Sequence, residues 1–108
     1  MSLDPQVRAH LDTLAATGAP PMHTLSAPQA RQQILAELDT GAPPTPVAAV
    51  VNRVIPGPGG DLPVRIYTPE GQGPFPLVVY FHGSGFVVCN LDTHDGICRH
   101  LCKGASCV

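Results

Sequence analysis

A histidine, a serine between two glycines, and an aromatic residue stand together at His82-Gly83-Ser84-Gly85-Phe86. The five residues before the glycines begin, Leu77-Val78-Val79-Tyr80-Phe81, are apolar or aromatic without alternation. A short continuous apolar run bounded by turn residues fits a strand buried on both faces. Such strands belong to parallel sheets covered by helices. A glycine-rich turn at the carboxyl end of such a strand falls where open α/β sheets place their ligands. Glycines let the backbone approach a ligand and turn its amides outward. A strand, then His-Gly-X-Gly-aromatic, then a helix is therefore suited to one task in acyl transfer. Backbone N–H groups fixed in advance can stabilise the charge that develops on a carbonyl oxygen.

Two rival chemistries use the same region. Ser84 as a nucleophile needs a base within ~3 Å that is itself oriented. His82 is two residues away, on an alternate position that rarely faces it, so this reading is set aside. His94, Cys98 and Cys102 recur at i, i+4 and i+8 on one helical face, and zinc accepts both residue types. Three ligands over two straight turns span ~12 Å at 1.5 Å rise per residue, too far for one ion. A pair joined by Cys89 or Cys107 would reach, but free cysteines are usually small buried apolar residues. No metal is expected. His10, His23 and His100 are expected on polar surface.

Composition narrows the class. The chain has 108 residues, a formal net charge of −2 and 13% charged residues. That charged share is about half the usual one, which suggests a surface partly covered by something else. There is no basic patch, so nucleic acid is not an expected partner. No apolar run approaches the ~20 residues of a membrane span. Met1-Ser-Leu-Asp-Pro5 lacks the blocks of a secretory signal, so a cytoplasmic protein is expected. Its four cysteines, Cys89, Cys98, Cys102 and Cys107, are then expected to stay reduced.

The elements that must position the glycine turn are legible in order. Asp4-Pro5 opens a helix, with Asp as N-cap and Pro at the first helical position. Val7, Leu11 and Leu14 form one apolar stripe, and Gly18 with Pro20-Pro21 ends it. Ser26-Ala27-Pro28-Gln29 has the form of a capping box. Ala30, Ile34, Leu35 and Leu38 then make an apolar face, with Gly41 placed to cap the end. Residues 41–46 form a stiff proline-rich linker. Two short amphipathic helices are marginal alone and must lie on something, either an ordinary helical layer or a lid over a pocket. The residues themselves favour the layer.

From Val47 to Ile55 the pattern is strand. Pro56 to Asp61 is a turn. Leu62, Val64 and Ile66 alternate with Pro63, Arg65 and Tyr67, predicting one buried and one wet face. The pair reads as antiparallel at a sheet edge, where Pro63 is tolerated. After the glycine turn, Asp92 is placed to cap a helix whose buried face is Ile97, Cys98, Leu101 and Cys102, ended by Gly104. A buried strand followed by a crossover helix requires a parallel partner strand, and Ala105 to Val108 reads as its start. The chain is accordingly expected to be the N-terminal portion of a larger α/β domain. Residues 1–46 would be a helical segment with its linker, and 47–108 the first strands, the loop and the first helix of the core.

Here the motifs resemble a family. His82-Gly83-Ser84-Gly85-Phe86-Val87-Val88 with Leu91-Asp92-Thr93-His94-Asp95 is similar to bacterial esterases of the hormone-sensitive-lipase branch of α/β-hydrolases. These typically read His-Gly-Gly-Gly, aromatic, two aliphatics, then Gly-Asp-Leu-(Asp/Glu)-Thr-His-Asp. Leu3-Asp4-Pro5 and the two N-terminal helices resemble the same family, in which they form part of a cap. The resemblance implies the N-terminal part of an α/β-hydrolase fold: two cap helices, an antiparallel strand pair, a buried parallel strand and a crossover helix.

The same resemblance implies a carboxylic ester hydrolase acting on small acyl esters by a Ser-His-Asp mechanism without a cofactor. In its terms the oxyanion hole is Gly83, Ser84 and Gly85, with the N–H groups of Ser84 and Gly85 as donors. His82 would brace the loop by hydrogen bonding, and Phe86 would line the mouth of the substrate pocket. No Gly-x-Ser-x-Gly occurs in these residues, so the triad is expected beyond Val108, and the remainder of the hydrolase polypeptide is the expected partner. Two departures stand out: Ser84 where glycine is usual, and Cys89-Asn90 where Gly-Asp is usual. The alternatives are a non-catalytic small-molecule-binding member of the same fold, or an inactive piece with no separate role.

Overall fold

The computed structural model describes residues 2–38 and 41–108. Helix α1 (Pro5–Ala16) begins as its sequence predicts. The Asp4 carboxylate accepts from the Gln6 N–H at 2.8 Å, and Pro5 fills the first helical position. Gly18, with φ +64°, turns the chain out of the helix. A short 3₁₀ turn at Met22–Thr24 leads to α2 (Ala27–Leu38). The capping box forms, with the Ser26 N–H donating to Gln29 Oε1 at 3.0 Å. Gly41 is left-handed at φ +63°; the end of α2 that it was expected to cap runs into residues 39 and 40, outside the described ones. The apolar stripes are less covered than expected: Val7, Leu11, Leu14, Leu35 and Leu38 are exposed, and Ala30 is the buried residue of α2.

Strands β1 (Ala49–Gly57) and β2 (Gly60–Thr68) form an antiparallel hairpin in register from Ala49 opposite Thr68 to Gly57 opposite Gly60. β1 starts two residues after Val47. Pro58-Gly59 makes the turn. A Cβ at Gly57 would lie 2.9 Å from the Gly60 carbonyl oxygen, and Gly60 sits at φ +118°, so both positions require glycine.

The expected alternation of burial along β2 is not observed: Pro63 is exposed and Val64 and Arg65 are both half-buried. Leu62 and Ile66 are exposed, whereas Tyr67 is buried. Polar contacts decide this, because α3 (Asp95–Ala105) lies against the face bearing Arg65 and Tyr67 and engages both side chains. The N-cap of helix α3 is His94 rather than Asp92, so the helix starts at Asp95, and it ends one residue after Gly104. The Asp92 carboxylate instead accepts from Arg65, at 2.8 Å. On α3, Cys102 is buried while Ile97 and Leu101 are exposed.

The segment 77–81 is the main correction to the expected elements. It is extended but forms no strand ladder, and its side chains are exposed rather than buried. The reason is coverage: β2 pairs with β1 alone, and no described element packs on both faces of 77–81. The expected parallel pairing is present at one point. The Val78 N–H donates to the Val108 carbonyl at 2.8 Å, and the Val108 N–H donates to the Pro76 carbonyl at 2.9 Å. That is the hydrogen-bond pattern of a parallel bridge. The radius of gyration is 17.1 Å, against about 13 Å for a packed domain of this length. Among the described residues no helix is long and apolar enough to cross a membrane.

Candidate active site

Phe81 leads directly into the loop 82–88, which is built on the Ser84 carbonyl. It accepts from the N–H groups of Val87 and Val88, each at 3.1 Å. Ser84 Oγ accepts from the Phe86 N–H at 3.1 Å. The tight turn places Gly85 at φ +55° and Phe86 at φ +60°. The amides of Gly83, Ser84 and Gly85 have no acceptor among the described residues. Three successive N–H groups are thus left available, two of them on exposed glycines. Phe86 is fully exposed.

His82 is placed differently from its expected role. Its Nδ1 is buried without a hydrogen-bond partner, and its ring lies 5.3 Å from that of His94 at 31°. His94 Nδ1 lies 2.9 Å from Thr93 Oγ1, and the Tyr80 ring is 6.2 Å from His94 on its other contact. These residues rim a cleft of about 580 Å³ between β2, the segment 77–82 and α3, lined by Ile66, Val78, Tyr80, His82, His94 and Leu101 among others. Phe86 does not line this cleft. Among the described residues no group of three His, Cys, Asp or Glu side chains could hold a metal ion.

The turn that follows is fixed by two devices. Asn90 Oδ1 accepts from the N–H groups of Asp92 and Thr93, at 2.9 and 3.0 Å. Cys89 precedes it at φ +68°, a left-handed conformation in which glycine would be unstrained. Asp95 then joins α3 to the hairpin. Its Oδ1 accepts from the Tyr67 hydroxyl at 2.9 Å and from Arg65 at 3.2 Å, and its Oδ2 accepts from Arg99 Nε at 2.6 Å. Burial pushes the Asp95 carboxyl up, but the hydrogen bonds from Arg99 and Tyr67 outweigh it and hold the group below its ordinary 3.8. Burial and then the bond to Asp95 push the Tyr67 hydroxyl well above 10.0. Sequence reasoning missed Arg65 and Tyr67, since their alternation marked them as wet. It also missed Arg31, which reaches from α2 to donate from Nε to the Val87 carbonyl at 2.7 Å.

Residues 78–108 match the model of an α/β hydrolase fold family. The chain also superposes on an ester-hydrolase from the metagenome of Lake Arreo with a TM-score of 0.88 and 36% identity, over 98% of this chain and 36% of that one. The chain belongs to the α/β-hydrolase fold family. Similarity extends to a hyperthermophilic esterase from Pyrobaculum calidifontis (TM-score 0.81, 32% identity, 99% of this chain and 34% of that one). Among curated proteins, the carboxylic ester hydrolase LipN of Mycobacterium tuberculosis is 48% identical over 52% of this chain and 15% of its own length. An ethyl acetate hydrolase of Pseudomonas putida is 34% identical over 97% of this chain and 36% of its own. The α/β-hydrolase chain thus spans about a third or less of the length of the relatives it matches. Its N-terminal helices, hairpin and α3 are the corresponding portion of that fold, and the relatives are ester hydrolases.

Proposed function

We propose that this chain supplies the oxyanion-hole loop, and with α1 and α2 part of the cap, to a carboxylic ester hydrolase acting on small acyl esters. The observation that carries the reading is the run of unpartnered amides at Gly83, Ser84 and Gly85 on a turn pinned from behind at the Ser84 carbonyl. Donors held in a fixed turn without an acceptor need no reorganisation when a carbonyl oxygen becomes negative. The mechanism is attack by a serine, activated by a histidine that an aspartate orients, with the tetrahedral oxyanion held by the Ser84 and Gly85 amides. Those three catalytic groups are proposed to come from polypeptide outside these 108 residues, which contain no Gly-x-Ser-x-Gly. Residues 1–46 then act as cap and linker, and 47–108 as the first core elements. Phe86, exposed beside the loop, is free to meet the ester's acyl or alcohol group.

The test is turnover of p-nitrophenyl acetate by the complete polypeptide, alongside labelling by a fluorophosphonate, which tags activated serines. Ser84→Pro removes one donor, and loss of an oxyanion-hole donor costs roughly 10²–10³ in turnover. A tagged wild type with turnover reduced on this scale in a Ser84→Pro protein of unchanged melting supports the proposal. An untagged wild type, or unchanged turnover in the variant, overturns it.

A further inference from the structure

Among the described residues one hydrogen bond joins the N-terminal helices to the rest of the chain, and it ends on the oxyanion loop. Arg31 Nε donates to the Val87 carbonyl at 2.7 Å. The carbonyl of one residue and the N–H of the next belong to one planar trans peptide and point in opposite directions. The Val87 carbonyl therefore shares a plane with the Val88 N–H, which donates to the Ser84 carbonyl at 3.1 Å. The Ser84 carbonyl in turn shares a plane with the Gly85 N–H, which has no acceptor among the described residues and points the opposite way. Hydrogen bonds in series polarise one another. A guanidinium is always charged, so a permanent positive charge heads this series and an open donor ends it.

We infer that Arg31 is a positioning residue for the oxyanion hole, acting on the Gly85 N–H through the Val87–Val88 and Ser84–Gly85 peptides. This rests on the proposed role of the loop and adds to it a regulator in the cap. Arg31 fixes the orientation of both peptide planes and makes the Gly85 N–H a stronger donor. The relay also links the two parts of the chain: displacement of α2 would release the Val87 carbonyl and loosen the Gly85 donor, although Arg31 itself does not touch substrate.

Deleting a donor costs roughly 10²–10³ in turnover, and each hydrogen bond in series strengthens the next by about 10–30%. Losing a comparable fraction of that effect on a logarithmic scale lowers kcat about two- to eightfold. The experiment compares wild type, Arg31→Met, Arg31→Lys and the control Arg8→Gln in the complete polypeptide. Steady-state kinetics use p-nitrophenyl acetate, and the Gly85 amide is followed by NMR with ¹⁵N-glycine. The expected result for Arg31→Met is an about two- to eightfold loss in kcat, KM within twofold, and an upfield shift of the Gly85 amide proton. Arg31→Lys, which keeps a charged donor, recovers most of both effects, and Arg8→Gln matches wild type. If wild type hydrolyses the ester but Arg31→Met keeps kcat within twofold, or changes KM alone, the inference is overturned while the function stands. If wild type does not hydrolyse the ester, the proposed function falls, and an unshifted Gly85 amide in Arg31→Met then overturns the relay as well.

Discussion

Asp95→Ala should open the seam between the hairpin and α3. Its two carboxylate oxygens serve Tyr67, Arg65 and Arg99 at 2.9, 3.2 and 2.6 Å. A hydrogen bond to a charged group contributes about 1.5–3 kcal/mol, but adding three such values overstates the loss. Arg65 keeps the Asn52 side chain, Asp92 and the Leu91 carbonyl, and Arg99 keeps the Thr45 carbonyl. Only Tyr67 loses its one carboxylate partner. The Asp95 side chain is 22% exposed, facing arginines at 14% and 18%, so the cost falls between that of a surface pair and the 3–5 kcal/mol of a broken buried one. About 2 kcal/mol is expected, or a roughly 30-fold acceleration of amide hydrogen exchange across β2 and α3. Asp92→Ala is the comparison. It also removes an Arg65 partner, but Asp92 is 69% exposed, and a pair of that kind is worth at most about 1 kcal/mol.

The pH dependence follows from the same contacts. Asp95 is held below its ordinary 3.8, so its contribution is present above that value and lost as pH falls through the folded one. The difference between wild type and Asp95→Asn should therefore hold at neutral pH and shrink below about pH 3.8. Tyr67 is raised above 10.0, so its contribution is complete below pH 10.0 and lost as pH rises beyond it. An exchange change under threefold, or an equal effect from Asp92→Ala, would refute the central position given to Asp95.

Two further outcomes are expected. Cys89→Gly should stabilise the loop by up to about 1 kcal/mol in thermal melting, because a side chain at φ +68° costs about 1–2 kcal/mol and glycine returns part of that as unfolded-state entropy; Cys89→Ala, with the same φ, should bring no gain. Burial, and then the Asp95 charge, push the Cys98 thiol up, while burial and neighbouring Cys107 push up Cys102. Iodoacetamide at pH 8 followed by mass spectrometry should therefore modify Cys98 slowly, and Cys102 and Cys107, both buried, only after urea.

Where a residue acts on its own neighbourhood, the sequence carried the answer. The Asp4-Pro5 start, the Ser26–Gln29 box and the hairpin about Pro58-Gly59 are local chemistry, settled within four residues of chain. Burial is not local. Leu62 and Ile66 alternate as a core face should, yet the face that is covered is the one on which Asp95 finds Arg65 and Tyr67. The run 77–81 has the composition of a doubly covered strand, but coverage requires elements on both sides of it, and among the described residues those are not in place. The glycines at 83 and 85 mark a turn in the sequence, and the backbone leaves the amides of residues 83–85 without an acceptor among the described residues. Arg31 was not legible, because a lone arginine on an amphipathic helix gives no sign of which carbonyl it will reach.

The substitution of serine for the usual glycine at 84 shows why motif departures need the backbone before they can be judged. A Cβ at a left-handed position would be strained, and Ser84 would then weaken the loop. The left-handed residues are instead Gly85, Phe86 and Cys89. Ser84 escapes the penalty, and its hydroxyl takes up the Phe86 N–H at 3.1 Å, an amide that a glycine at 84 could not have engaged through a side chain. That bond helps hold Phe86 at φ +60°, where a bulky residue needs outside support. The departure at 84 thus stabilises the turn, while the one at 89 strains it. The Oγ and carbonyl of Ser84 are both engaged within the turn, and its N–H is the group left without a partner among the described residues.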